Sequence, residues 1–291
     1  MNESFKGDLI LNEPIIHIKN LTFTYAGLEK PSIKNINFNA YKGEFIVLTG
    51  PSGCGKTTLC RCLNGLIPNF YSGEMKGEVY VCGLNTKEHS TSELAKHVGF
   101  VFQNPENQLF SLTIERDVAF GLENLGLPKK EIKERVEWAL KVVGITHLRE
   151  KAPYELSGGQ QQKAAIASIL SMKPEIIVLD EPTSFLDPKS ALEILKVIQN
   201  LNKQFGITVI LVEHRLDFVA QFANRIVIMN DGEIALDGEP SKVLTEEAYL
   251  LGVGIPKVTL LFHQLKQENF KFNKTPVTIE EAAIELRRLL K

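Results

Sequence analysis

Three short stretches carry residue types suited to phosphate chemistry. Residues 50–58 read GPSGCGKTT, which fits the pattern GxxxxGK[ST]. Glycines at 50, 53 and 55 permit a tight backbone ring with N–H groups aimed inward at an anion. Lys56 supplies a full positive charge to β and γ phosphates, and the Thr57 hydroxyl suits Mg²⁺. Residues 175–181 read EIIVLDE, an apolar run ending in two carboxylates. Strand alternation sends Asp180 and Glu181 in different directions. Asp180 then suits the magnesium shell, and Glu181 suits polarising an attacking water as general base. Residues 156–163, LSGGQQQK, place a natural N-cap, Ser157, and two bare glycines before an apolar-periodic run. That is a second helix start favouring anions.

Two isolated polar residues fall just past strand-like runs. Gln103, in GFVFQNPENQLF (99–110), offers a neutral amide to magnesium or to the attacking water. His214, in LVEHRLDF, could reach the γ-phosphate from the opposite edge. A lone histidine is more often structural, so its reading depends on what surrounds it.

The elements that must position these residues follow from hydrophobic periodicity. Residues 16–25 alternate as a half-buried strand, and Ile33, Ile36 and Phe38 belong to a second. Residues 45–49, FIVLT, read as a strand buried on both faces, which delivers the glycine loop and a helix over about 56–66. Short strands are expected near 77–82 and 97–102. Between 113 and 172 the pattern is helical, with Pro128 opening and Gly144 closing one helix. Strands return at 175–180, 207–212, 225–230 and 233–238, the last two joined through NDGE, with helices at 189–204 and 216–223 between. This is parallel α/β architecture interrupted by a helical insertion. Two amphipathic helices end the chain. In the second, Ile279, Ala283, Leu286 and Leu290 share a face, and Thr278 with Glu281 resembles a capping box. The extension reads as a cap on the sheet or, slightly favoured, a dimerisation element.

Composition excludes several classes. The 291 residues are 44% hydrophobic, enough for a sizeable core. With 33 basic against 35 acidic side chains there is no arginine run or basic stripe, so no nucleic-acid partner is expected. The N-terminal stretch does not read as a signal peptide, and apolar runs are strand-length, far short of a membrane span. Cys54, Cys60, Cys62 and Cys82 form no CxxC pair and have no histidine near them in sequence, so they read as reduced core thiols, not zinc ligands.

Taken together, GPSGCGKTT, Gln103, LSGGQ, IIVLDEPTSFLD and His214 stand in an order that resembles the nucleotide-binding subunit of ABC (ATP-binding cassette) ATPases. The resemblance covers about residues 15–240. It implies a P-loop NTPase fold with a RecA-like core, an antiparallel β subdomain, and the helical subdomain at about 113–172. The cassette would span 14–245, with 246–291 as the C-terminal helical extension. ATP and Mg²⁺ are the implied cofactors, held by Tyr25 stacking on adenine, by Gly50, Pro51, Ser52, Gly53, Cys54, Gly55, Lys56, Thr57 and Thr58, and by Thr57, Gln103 and Asp180 at the metal. Glu181, His214 and Gln103 are the implied catalytic residues. In that family two cassettes pack head to tail, so Ser157, Gly158, Gly159 and Gln160 would cap the partner's ATP, and Asp187 would couple the two sites. Such a pairing explains why one chain carries two anion sites. Two departures are Glu213, where the family usually has threonine or serine before the histidine, and Lys163, where arginine is commoner. FQNPENQLF and the extension look like the energy-coupling-factor group, importers of vitamins, cobalt or nickel. That group implies a second ATPase subunit, identical or paralogous, a transmembrane coupling subunit and a substrate-binding membrane protein, at the cytoplasmic face of a prokaryotic membrane. A non-transport ABC ATPase acting on nucleic acid or ribosomes is the alternative.

Overall fold

The computed structural model describes residues 13–289. An antiparallel pair, β1 (Ile16–Tyr25) and β2 (Ile33–Ala40), precedes β3 (Phe45–Thr49) and α1 (Lys56–Leu63). A single turn, α2 (Leu66–Asn69), leads to β4 (Gly73–Val81) and β5 (Leu84–Asn85), then α3 (Thr91–Leu94) and β6 (Val98–Val101). The helical insertion follows as α4 (Ile114–Asn124), α5 (Lys129–Val143) and α6 (Gly158–Leu170). Next come β7 (Ile176–Asp180), α7 (Pro188–Phe205), β8 (Thr208–Val212), α8 (Leu216–Val219), β9 (Arg225–Asn230) and β10 (Glu233–Gly238). The chain closes with α9 (Pro240–Val243), α10 (Glu246–Leu250), α11 (Lys257–Gln267) and α12 (Ile279–Leu289).

The described strands form two sheets. One is antiparallel, ordered β2-β1-β4-β5; the other is ordered β10-β9-β3-β8-β7-β6 and is parallel except for β10. The apolar runs in β3, β7 and β8 are buried throughout because both faces of the central sheet are covered. Side-chain alternation divides them between two cores. Val47, Ile177, Leu179, Val209 and Leu211 face the helical insertion and α7. Ile46, Leu48, Ile176, Val178, Ile210 and Val212 face α1 and the antiparallel sheet.

Several boundaries differ from expectation for local reasons. The helix at 56–66 stops at Leu63, because Gly65 takes a left-handed conformation (φ 73°). β4 begins at Gly73, not near 77, and its first residues, Gly73–Lys76, pair with residues 22–25 of β1. The NDGE turn forms as read, with Asp231 (φ 47°) and Gly232 (φ 84°) in the geometry that a two-residue hairpin needs. Gly144 (φ 77°) closes α5, and Pro128 sits one residue outside it, as its N-cap.

The C-terminal extension packs onto the body of the chain. Ala248, Val253, Ile255 and Val277 join the core on the helical side, and Phe262 is buried against Phe272. One sequence expectation is corrected here. On α12 Ala282 is the buried residue, Ala283 and Leu286 are half-buried and Ile279 is 72% exposed; Leu290 lies outside the described residues. Only half of the capping box closes: the Thr278 hydroxyl accepts from the Glu281 amide, but the Glu281 carboxylate accepts from the Val277 amide in place of Thr278. Among the described residues no helix is long and apolar enough to cross a membrane.

Candidate nucleotide site

Sheet order decides which loops meet. In parallel register Leu48 lies level with Val212, Val212 with Asp180, and Leu179 with Val101. The residues that follow these four strands therefore emerge side by side at the carboxyl edge, where open α/β sheets bind ligands. They are the glycine loop after β3, His214 after β8, Glu181 after β7 and Gln103 after β6.

The loop from Gly50 to Gly55 is a backbone ring that tolerates no side chain at two of its glycines. A Cβ at Gly50 (φ 142°) would lie 2.1 Å from the Met229 carbonyl oxygen, and one at Gly55 (φ 103°) would lie 2.6 Å from that of Ser32. Gly55 is the N-cap of α1 and offers no side chain to the first turn, which leaves those N–H groups open to an anion. Inside the ring, the nearly buried Lys56 Nζ donates to the carbonyls of Gly50 and Pro51, each at 2.9 Å, with Cys54 Sγ at 3.7 Å. Ser52 and Thr57 lie on the same loop and first turn, and Thr58 is buried beneath it.

Asp180 is buried at the end of β7. Burial raises its pKa above the ordinary carboxylate value, against the opposing pull of the Thr57 hydroxyl, Arg61 and Lys56. A buried carboxylate beside a hydroxyl is an oxygen donor set that fits Mg²⁺.

Glu181 follows in a left-handed conformation (φ 49°), unusual for a residue with a side chain and a conformation that clusters at functional sites. Its carboxylate gathers three partners. Gln103 Nε2 and Ser184 Oγ each lie 2.9 Å from Oε2, and His214 Nε2 lies 3.0 Å from Oε1. Gln103 and His214, two of the three residues expected to be catalytic, thus both touch the third, Glu181, although 78 and 33 positions separate them from it.

Tyr25 ends β1 with its hydroxyl 3.2 Å from both Thr58 Oγ1 and Arg61 Nη1, and its ring stands edge-on to Phe23 and Tyr71. The ring is thereby anchored to α1, beside the loop.

The helix start expected to hold a second anion forms with a full cap. Gln160 N donates to Ser157 Oγ (3.4 Å), and Ser157 N donates to Gln160 Oε1 (3.0 Å), which closes a capping box at the start of α6. The glycines here also serve packing: a Cβ at Gly158 would lie 3.3 Å from Leu186 Cδ2, and one at Gly159 would lie 3.3 Å from Ser190 Cβ. Asp187 caps α7 by accepting from the amides of Lys189 and Ser190, and those bonds, with the Ser190 hydroxyl, hold its pKa down. Gly158, Gln103, Gln162 and Phe185 line a cavity of about 220 Å³, and Ser157, Gly159, Gln160 and Lys163 line another of about 190 Å³. None of residues 50–58 lines either.

These features are those of an ATP-binding cassette, and comparison with known proteins agrees. The profile of the ABC transporter family matches residues 33–184. The chain belongs to the ABC transporter family. The energy-coupling factor transporter ATP-binding protein EcfA2 of Clostridium tetani is 43% identical over 281 residues, covering 94% of this chain and 96% of that one. Among solved structures, cbiO1 of Clostridium perfringens, part of the ABC transporter complex cbiONQ, superposes with TM-score 0.74 at 34% identity over 87% of this chain and 99% of that one. The dimeric ATP-binding cassette MJ0796, bound to ADP and Pi in a post-hydrolysis state, gives TM-score 0.68 at 33% identity over 77% and 98%.

The chain is an ABC ATPase, and its P-loop NTPase fold is the one the sequence implied. The structure also shows functional neighbours that sequence reasoning passed over. Ser184 shares the Glu181 carboxylate with Gln103, and its place three residues downstream was the available signal. Glu213, noted only as a departure, is buried. Its carboxylate accepts from the Thr183 hydroxyl and from the amides of His214 (2.8 Å) and Arg215 (3.1 Å). Arg215 returns to the Thr183 carbonyl at 2.8 Å, so this ABC ATPase braces its His214 loop against the loop that follows Glu181.

Proposed function

We propose that this ABC ATPase is the motor subunit of an energy-coupling-factor importer, powering uptake of a vitamin or a transition-metal ion such as cobalt or nickel through separate membrane subunits. The observation that carries the catalytic part is the meeting of Gln103, Glu181 and His214 on one carboxylate beside the phosphate loop. The energy-coupling assignment draws on the EcfA2 and cbiO1 likenesses.

In this reading Lys56 and the N–H groups around Gly53–Thr58 hold the β and γ phosphates, and Tyr25 stacks on adenine. Mg²⁺, held by Thr57, Asp180 and the Gln103 amide oxygen, would neutralise phosphate charge. Glu181 takes a proton from water as its oxygen bonds to the γ-phosphorus and the bond to the β–γ bridging oxygen breaks, releasing ADP and phosphate. His214 and Gln103, both within hydrogen-bond reach of the Glu181 carboxylate, serve the γ-phosphate and the attacking water.

Ser157–Gln160 serve the ATP of a second cassette, a copy of this chain or a paralogue, which is why they line cavities that exclude the phosphate loop. Asp187 sits between the two sites, and outward-facing Leu261, Ile279 and Ile284 of the extension add to the pairing. A transmembrane subunit seated near Gln103 and the helical insertion would feel the closure that ATP drives, at the cytoplasmic face of the membrane.

The test is Glu181→Gln. Turnover should fall by ~10²–10⁴, the worth of a general base, while ATP binding survives and ATP drives dimerisation. Hydrolysis at the wild-type rate in that variant would remove Glu181 from its assigned role.

A further inference from the structure

The amino edge of the central sheet, away from the nucleotide loops, gathers a second set of chemically distinctive side chains. His97 immediately precedes β6 and Glu175 immediately precedes β7, and these strands pair with Val98 opposite Ile176. The amides of Glu175 and Ile176 both donate to the His97 carbonyl at 3.0 Å, and the Thr208 amide donates to the Glu175 carbonyl, so both backbones are fixed by the sheet. Cys82 reaches the same point from the antiparallel sheet. It sits at the turn between β4 and β5, and its amide donates to the Ile15 carbonyl at 2.8 Å. The thiol, an imidazole nitrogen and a carboxylate oxygen all lie within 4.8 Å of one another, with His97 Nδ1 3.0 Å from Glu175 Oε1.

We propose that Cys82, His97 and Glu175 bind a borderline divalent cation of the zinc class, which fastens the antiparallel sheet to the amino edge of the central sheet. Sulfur, nitrogen and oxygen donors in one cluster match zinc, with water in the fourth position. The same mixture disfavours magnesium and calcium, which take oxygen ligands, so this site does not compete for the metal of the nucleotide site. Zinc bonds of about 2.0–2.3 Å require the three side chains to draw inward by small rotations. Among the described residues the two sheets share no ladder pairing and are joined by a backbone bond from the Lys34 amide to the Gly232 carbonyl, so an ion at this junction would add a second tie between them.

The competing reading is a plain hydrogen-bonded trio in which the carboxylate accepts from its neighbours. Cobalt(II) separates the two. The full-length chain, free of nucleotide and stripped with chelator, is titrated with Co²⁺ at mildly alkaline pH, because the thiol proton must leave on binding. One equivalent per chain should develop a thiolate-to-cobalt charge-transfer band. Cys82→Ser should abolish the band and leave Mg²⁺-dependent ATPase turnover unchanged. His97→Ala should weaken binding by more than about 100-fold, beyond the 10–100-fold lost when only an outer hydrogen-bonding partner of a ligand is removed. Zinc should raise the melting temperature of the wild type and not that of Cys82→Ser. Absence of the band in the wild type overturns the proposal, and so does a band that survives Cys82→Ser, which would place the metal on Cys54, Cys60 or Cys62. If Cys82→Ser does not fold, Glu175→Gln, which keeps the thiol, should weaken Co²⁺ binding by more than about 100-fold, and unchanged affinity overturns the proposal.

Discussion

Glu213 illustrates how one side chain can secure the loop that carries His214. Its carboxylate is buried and accepts from a hydroxyl and two backbone amides. Glu213→Ala would orphan those donors, at about 1–3 kcal/mol for each group left unsatisfied. We expect a lower urea midpoint together with a fall in kcat as His214 loses its support, and a smaller loss on both counts in Glu213→Gln, whose amide oxygen still accepts. Asp180 makes the opposite trade. Its pKa is raised in the folded chain by burial, so its proton is held more tightly there than in the unfolded chain. The stability tied to that proton is complete below the ordinary carboxylate pKa and is lost as pH rises through the elevated one. At pH 7 the ionised Asp180 therefore weighs against the nucleotide-free fold. Asp180→Asn should melt higher than wild type at pH 7, by about 2–4 °C for each kcal/mol recovered. The gap should narrow as pH falls toward 4, and ATPase activity should be lost. A variant that melts lower at pH 7 would refute this account.

At the scale of elements, Gly159 separates stability from function. Alanine there is favoured over glycine inside a helix by about 1 kcal/mol, while its methyl group presses on Ser190 at 3.3 Å. The two effects offset, so thermal melting of Gly159→Ala should stay within a few degrees of wild type. ATPase turnover should nonetheless drop by about 10²–10³, the scale of losing one preorganised donor to a developing charge, because the methyl group holds a partner's γ-phosphate away from the first turn of α6. The same helix start was legible in the sequence through Ser157 and its spacing to the apolar run. So were β3, β7 and β8, whose unbroken apolar runs have one physical explanation, burial on both faces. The start of β4 was not legible. Its residues Gly73–Gly77 are largely exposed and polar, with no alternation to read, and the strand bends where Gly77 (φ 80°) would bring a Cβ within 2.3 Å of the Asn20 carbonyl oxygen. The inward side of α12 was not legible, because it is the small Ala282 that joins the core while the large Ile279 and Ile284 are exposed. Long-range partners were equally hidden: nothing local in the sequence joins Cys82 to His97, or Gln103 to Glu181.

At the scale of the whole molecule, the separation of residues 50–58 from the cavities around Ser157–Gln160 predicts shared sites. Ser157→Arg should abolish turnover while single-chain ATP binding persists, measured by equilibrium dialysis. Lys56→Ala should be equally inactive through its own phosphate loop. If two copies of the chain pair, mixing the two inactive variants restores one whole site in each mixed dimer. Half of the dimers are then mixed and each has one working site of two, so turnover should recover to about a quarter of wild type with independent, two-fold related sites. No recovery would argue for a paralogous partner or for sites contained in one chain. Placing aspartate at both Ile279 and Ile284 should lower the concentration-dependent mass seen by light scattering with ATP and leave the melting temperature nearly unchanged, since both side chains are exposed.

The seat of the Lys56 ammonium bears on how the motor idles. Held by the carbonyls of Gly50 and Pro51, it braces the ring from within, as a peg keeps an arch standing. An arriving triphosphate then finds its cradle already shaped and has only to coax one cation toward itself, so little ordering is demanded at each stroke.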